Sequence, residues 1–179
     1  MGYRFLTKQK NCPAIWGPDL RREFLYAVSC LAFCGLGTWL ITYSHEVNAW
    51  LAAAGWPYIG QRLLFVHGCA DILQGILSFA SDVVLVDVPS SVHLADRLLA
   101  VVLTLVGIYV EVCVLIFSSL SSLNRMLMLI LLVMALWHHF RAKFAIRDRV
   151  YSQFVKSHTI WHLAITVSLP LPVHLSLFH

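Results

Sequence analysis

The chain is 179 residues long, 59% hydrophobic and only 12% charged, with a mean hydropathy of +0.76. Soluble domains carry about 25% charged residues. The composition therefore excludes a soluble globular domain and indicates an all-α, polytopic transmembrane bundle. The formal net charge is +4, and its basic residues are grouped in a way that reports topology rather than nucleic-acid binding.

In chain order, residues 1–23 read as a basic cytoplasmic leader ending in Arg21-Arg22-Glu23, and residues 24–179 as the transmembrane helical domain. The first span is expected over 24–43. Its apolar run is too long for the core of a signal peptide, and the polar leader is too long for the region before one. Residues 44–60, with Gly55-Trp56-Pro57-Tyr58, read as a loop carrying interfacial aromatics. The second span is expected over 61–84, before the break at Val88-Pro89-Ser90-Ser91. The third follows over 92–117, up to the turn Ser118-Ser119-Leu120-Ser121-Ser122. The fourth is expected over 123–140, then a basic, partly helical and amphipathic linker over 141–156. The fifth covers 157–177, with Pro170 and Pro172 kinking or ending it. There is no internal repeat.

Five spans put the leader, the 85–91 loop and the 141–156 linker on one side. That side then holds eleven of the thirteen Lys and Arg residues, leaving Arg62 and Arg125 opposite. The positive-inside rule makes it cytoplasmic, with the C-terminus on the other side.

Polar residues recur where hydrocarbon is expected. His67, Asp71, Gln74, Ser78 and Asp82 in the second span fall within a sector of about 80° at 100° per residue. In the third, His93, Arg97, Thr104 and Glu111 share a stripe, with Ala100 and Gly107 in its gaps and Asp96 beside it. Each ionisable group in hydrocarbon costs at least ~2.5–3.5 kcal/mol, so these stripes must face the bundle interior. Interhelical hydrogen bonding is one reason to keep them; a site is another.

Depth selects the candidates. Asp82 ends span two, His93 and Asp96 begin span three, and His158 and His162 begin span five. All five lie at the basic end. His158 and His162 are four residues apart, on one face of a helix, where two imidazoles can share one metal ion. Catalytic zinc takes three protein ligands and a water that ionises near neutral pH, and a nearby carboxylate can orient a ligand or move protons.

At these residues the chain resembles the CREST superfamily of alkaline ceramidases and progestin and adipoQ receptors. That group has Ser-x-x-x-His at the end of its second helix, Asp at the start of its third, and His-x-x-x-His on its last. The resemblance covers roughly residues 61–105 and 155–165. It implies that Ser78 is the serine, Asp96 the aspartate, and His158 and His162 two of three zinc ligands. The serine and aspartate would support the metal-bound water. Asp82 stands where the family has its first zinc histidine, and His93 can replace that ligand from the next helix. The family has seven spans against five here; loss of two lets the last helix enter from the same side.

Other residues read more simply. His138 and His139 are expected at the interface, and His174 and His179 in the tail. His67 and Asp71 are expected to form a buried pair. The five cysteines, Cys12, Cys30, Cys34, Cys69 and Cys113, lack a Cys-x-x-Cys. That argues against a quinone-linked disulfide oxidoreductase, and Cys30 and Cys34 are expected to pack.

Three functions compete at this point. One is a zinc-dependent membrane hydrolase of a lipid amide or ester. In it His158, His162 and either His93 or Asp82 bind the metal, and Asp96 and Ser78 support catalysis. The second is a non-catalytic receptor-like or structural membrane protein. The third is a haem-binding electron carrier, which requires histidines on two facing helices. The partners expected are the lipid bilayer and a lipid substrate or ligand, with no nucleic acid.

Overall fold

The computed structural model describes residues 16–53, 61–118 and 120–178, and no strand occurs among them. Nine α-helices are described: α1 Gly17–Leu20, α2 Phe24–Cys30, α3 Ala32–Thr42, α4 Ser44–Ala53, α5 Gln61–Phe79, α6 Ser91–Phe117, α7 Ser122–Arg147, α8 Tyr151–Ser168 and α9 Pro170–Phe178. A π-turn, Ala80–Val84, extends α5. They make five segments long and apolar enough to cross a bilayer: Phe24–Thr42, Arg62–Val84, Ser91–Ile116, Ser122–Arg147 and Tyr151–Leu177. The expected count of five spans holds. The chain is a multi-pass membrane protein.

Polarity is arranged as a hydrocarbon solvent requires. Leu63, Leu98, Leu105 and Trp137 are exposed, whereas Asp71, Gln74, Asp82, Asp96 and Glu111 are buried. Ionisable groups face the bundle interior, and the apolar surface is left for lipid.

Two sequence expectations fail. Residues 44–53 are helical rather than loop, because Val47 and Leu51 lie one turn apart and bury against Leu64 and Val114. The remainder of that loop, 54–60, lies outside the described residues, as do residues 1–15 of the leader. Span four does not end at residue 140: the partly helical linker expected over 141–156 is helix on both sides of a tight turn. Helix α7 runs on to Arg147, because Ala142 and Ala145 bury in the same core as Phe154. It then stops in a Schellman motif: the Val150 N–H bonds Ala145 O at 2.9 Å and the Arg149 N–H bonds Ile146 O at 3.2 Å. Arg149 takes the left-handed conformation this motif needs, at φ 57°.

The other boundaries fall as their residues dictate. The Ser90 hydroxyl caps α6 by accepting the Val92 N–H at 3.2 Å, just after Pro89. The Ser121 hydroxyl caps α7 through Asn124 N–H. Helix α8 gives way to α9 at Leu169, before Pro170, which has no N–H to continue the ladder.

Both ends of the bundle are tied. At the basic end, Arg21 pairs with Asp87 and donates to Val83 O at 3.2 Å. There too the Tyr151 hydroxyl donates to Glu23 at 3.0 Å. The segment before span one, the 85–90 turn and the 148–150 turn are therefore together. At the other end, Asn124 donates to Ser176 at 2.8 Å. Between the ends, α3 and α5 meet at glycines: a Cβ on Gly68 would lie 2.7 Å from Gly37 O. Backbones this close need residues without side chains.

Candidate metal centre

Helix α8 begins immediately after the Schellman turn, which places His158 and His162 two and three turns inside the basic end. Both project toward α2. There the chain tightens at Leu31, with i to i+3 bonds from Leu31 N–H to Val28 O and from Cys34 N–H to Leu31 O, at 3.0 and 2.9 Å. Cys30, the last residue of α2, is fully buried at that point.

Ligand atoms of Cys30, His158 and His162 all lie within 4.8 Å of one another. The two imidazole rings are 4.2 Å apart between centroids. Phe33, Tyr26, Phe154 and Trp161 pack around them at 5.0–5.4 Å. His158 Nε2 and His162 Nδ1 are buried and have no hydrogen-bond partner. His162 Nδ1 is left unsatisfied and His158 Nε2 faces only the Asp82 carboxylate, so a cation could serve both. The three residues could hold a metal ion.

The cluster that could hold an ion joins Cys30 to the expected histidine pair. The expected third ligand, His93, has both ring nitrogens engaged: Nε2 with Val88 O and Nδ1 with the Ser81 hydroxyl, each at 2.8 Å. A carbonyl can only accept, so Nε2 carries a proton there. His93 instead clamps the 85–90 turn onto α6. Cys30, expected only to pack, lies beside the histidine pair instead.

Asp82, the other candidate, stands one step outside the three. Its Oδ2 is 3.3 Å from His158 Nε2. The π-turn presents it, and such turns recur at functional sites. Ser78, one turn before Asp82, is buried on the same face of α5 and lines the same cavity. Asp96 accepts from the Gln74 amide at 2.7 Å.

Five of the six sequence candidates, Ser78, Asp82, Asp96, His158 and His162, line one cavity of about 370 Å³; His93 does not. The cavity reaches the surface between α6 and α7, where Val101 and Lys143 are exposed lining residues. His139, expected at the interface, also lines it and meets Trp161 edge to face with centroids 4.6 Å apart. His67 and Asp71 lie elsewhere, 3.6 Å apart.

No family model, curated protein or solved structure matches the chain.

Proposed function

We propose that this protein is a metal-dependent membrane hydrolase, with zinc as the metal and a lipid amide or ester as the substrate. The observation that carries this reading is the Cys30, His158 and His162 cluster, whose two histidines line a cavity that opens between α6 and α7. Two imidazoles and a thiolate are a donor set that suits zinc, and three protein donors leave a tetrahedral ion one further position. Zinc so held supplies a Lewis acid that polarises a carbonyl and acidifies water.

The chain's own residues complete the chemistry. The Cys30 thiolate and the Asp82 carboxylate together balance the two charges of a divalent ion, which lowers the cost of burying it. Ser78, buried in the cavity wall, is the hydrogen-bond donor to water or oxyanion. Asp96 lines the cavity beside Asp82 and is the carboxylate that takes the proton from water and returns it to the leaving group. Val101, Ile146 and Trp161 offer the acyl chain an apolar wall, and Arg97 and Lys143 offer the headgroup polar partners. This arrangement supports the resemblance to the ceramidase-like hydrolases in its Ser78, Asp96, His158 and His162, though not in the identity of the third ligand. A haem carrier is disfavoured, because the three donors are spaced for one small ion.

Turnover of fluorescent lipid amides and esters by the purified protein in detergent tests the proposal. Zinc-loaded wild type should release fatty acid. Asp96→Asn should keep its zinc and lose about 10²–10⁴-fold in rate. An inactive wild type that binds zinc stoichiometrically would leave the metal structural and end the hydrolase reading.

A further inference from the structure

A column of polar side chains runs along one face of α5 and its π-turn. His67, Asp71, Gln74, Ser78 and Asp82 follow at i, i+4, i+7, i+11 and i+15. At 1.5 Å per residue they span about 22 Å, most of a ~30 Å hydrocarbon core. The half near the basic end serves the metal cavity. The other half does not, and nothing in hydrolysis requires it.

His67 and Asp71 line a second cavity of about 40 Å³, together with Thr104 and Glu111 of α6. Asp71 is 1% exposed and Glu111 2%. Helices α3 and α8 contribute only apolar side chains to its wall, so His67, Asp71 and Glu111 are the titratable groups facing it among the described residues. One Glu111 oxygen accepts from the Ser168 hydroxyl. The other, Oε2, has no hydrogen-bond partner; Asp71 Oδ2 accepts no hydrogen bond either and has only His67 Nε2 near it, 3.6 Å away. Carboxyls kept to fasten helices would be bonded on both oxygens. Here two acidic groups sit within the spans, Glu111 with an oxygen that accepts no hydrogen bond and Asp71 with one that faces only His67 of its own helix, beside a space large enough for ordered water. Phe33 belongs to the walls of both cavities. Gln74, one turn from Asp71, donates to Asp96 in the metal cavity and keeps its own Oε1 unbonded.

We propose that Asp71 and Glu111, with the partly exposed His67 at its mouth, form a path for protons between the weakly basic end of the bundle and the metal cavity. A proton reaching one carboxylate makes a neutral acid, stable in hydrocarbon. Passing it on through water breaks that O–H bond as another forms, and the first carboxylate is restored. The transmembrane proton gradient is the driving force, so no further reactant is needed. Chains of intramembrane Asp, Glu and His carry protons in this way. The path does not depend on hydrolysis.

The test is the full-length protein in liposomes holding a trapped pH dye, with a potassium gradient and valinomycin setting the potential. Wild-type vesicles should acidify faster than protein-free ones. Asp71→Asn and Glu111→Gln, nearly isosteric, should each fall to the protein-free rate. Wild type no faster than empty vesicles overturns the path, and so does either variant conducting like wild type. Should the variants not reconstitute, infrared spectroscopy of the wild type decides. A carboxylic-acid C=O band that shifts on exchange into D2O is expected, and its absence overturns the proposal.

Discussion

Cys30 is the residue whose role changed most between sequence and structure. In sequence it is one of several small residues in an apolar run. In three dimensions its sulfur meets His158 and His162. Depth could have found it, since Cys30 is as far from the basic end of span one as the histidines are from that of span five. No sequence spacing links residues this distant, so their approach depends on how α2 and α8 pack. The histidine pair was legible because both members sit on one helix, and i and i+4 share a face whatever the tertiary structure. His93 misled for the opposite reason: its ring points to the turn before α6, and the composition of a stripe does not say so. The metal should therefore follow the triad. Cys30→Ala, His158→Ala and His162→Ala should each lose stoichiometric zinc, read by elemental analysis of purified protein. His93→Ala should keep the zinc and lose about 1–3 kcal/mol of stability, because it strips Ser81 and Val88 O of a buried partner. Full zinc in both His158→Ala and His162→Ala would leave the histidines as packing residues.

At the scale of elements, helices were readable where hydropathy alone decides and unreadable where packing does. The breaks at Pro89 and Pro170 and the serine caps are local chemistry. Helix α4, the far end of α7 and the π-turn are stabilised by contacts with distant segments, which local pattern does not encode. The α3–α5 contact left a trace in sequence, Gly68 and Gly75 seven residues apart on one face of α5. A Cβ at Gly75 would lie 2.9 Å from the Cys34 nitrogen. Gly68→Val should cost about 1–3 kcal/mol through overpacking against backbone that cannot retreat. A lowered thermal-unfolding midpoint in detergent would register it, and an unchanged midpoint would mean the two helices separate freely. Arg149→Gly should act in the other direction. It removes the ~1–2 kcal/mol penalty of a left-handed conformation at a residue with a Cβ, and the same measurement should show a raised midpoint.

For the whole molecule, the five-span count was legible because bilayer thickness fixes the length of an apolar helix. The burial of the acids followed from the cost of leaving them in lipid. The same count fixes parity. Arg21, Asp87, Glu23 and Tyr151 hold the segment before span one and the 85–90 and 148–150 turns at one end, and the metal centre lies just inside that end. Charge then orients the bundle. With eleven of thirteen Lys and Arg residues on that side, the positive-inside rule predicts that it faces the cytoplasm. The metal centre would then be open to the inner leaflet. Ala145 is too buried to carry a label, whereas Arg149 lies exposed in the turn. A cysteine at position 149, in a background lacking the native cysteines outside the triad, should therefore be shielded from impermeant maleimide in intact cells. A glycosylation tag appended after His179 should be modified. Labelling at 149 together with an unmodified C-terminal tag would invert the protein and turn the metal centre to the outer leaflet. The two positions reporting the same side would break the five-span parity itself.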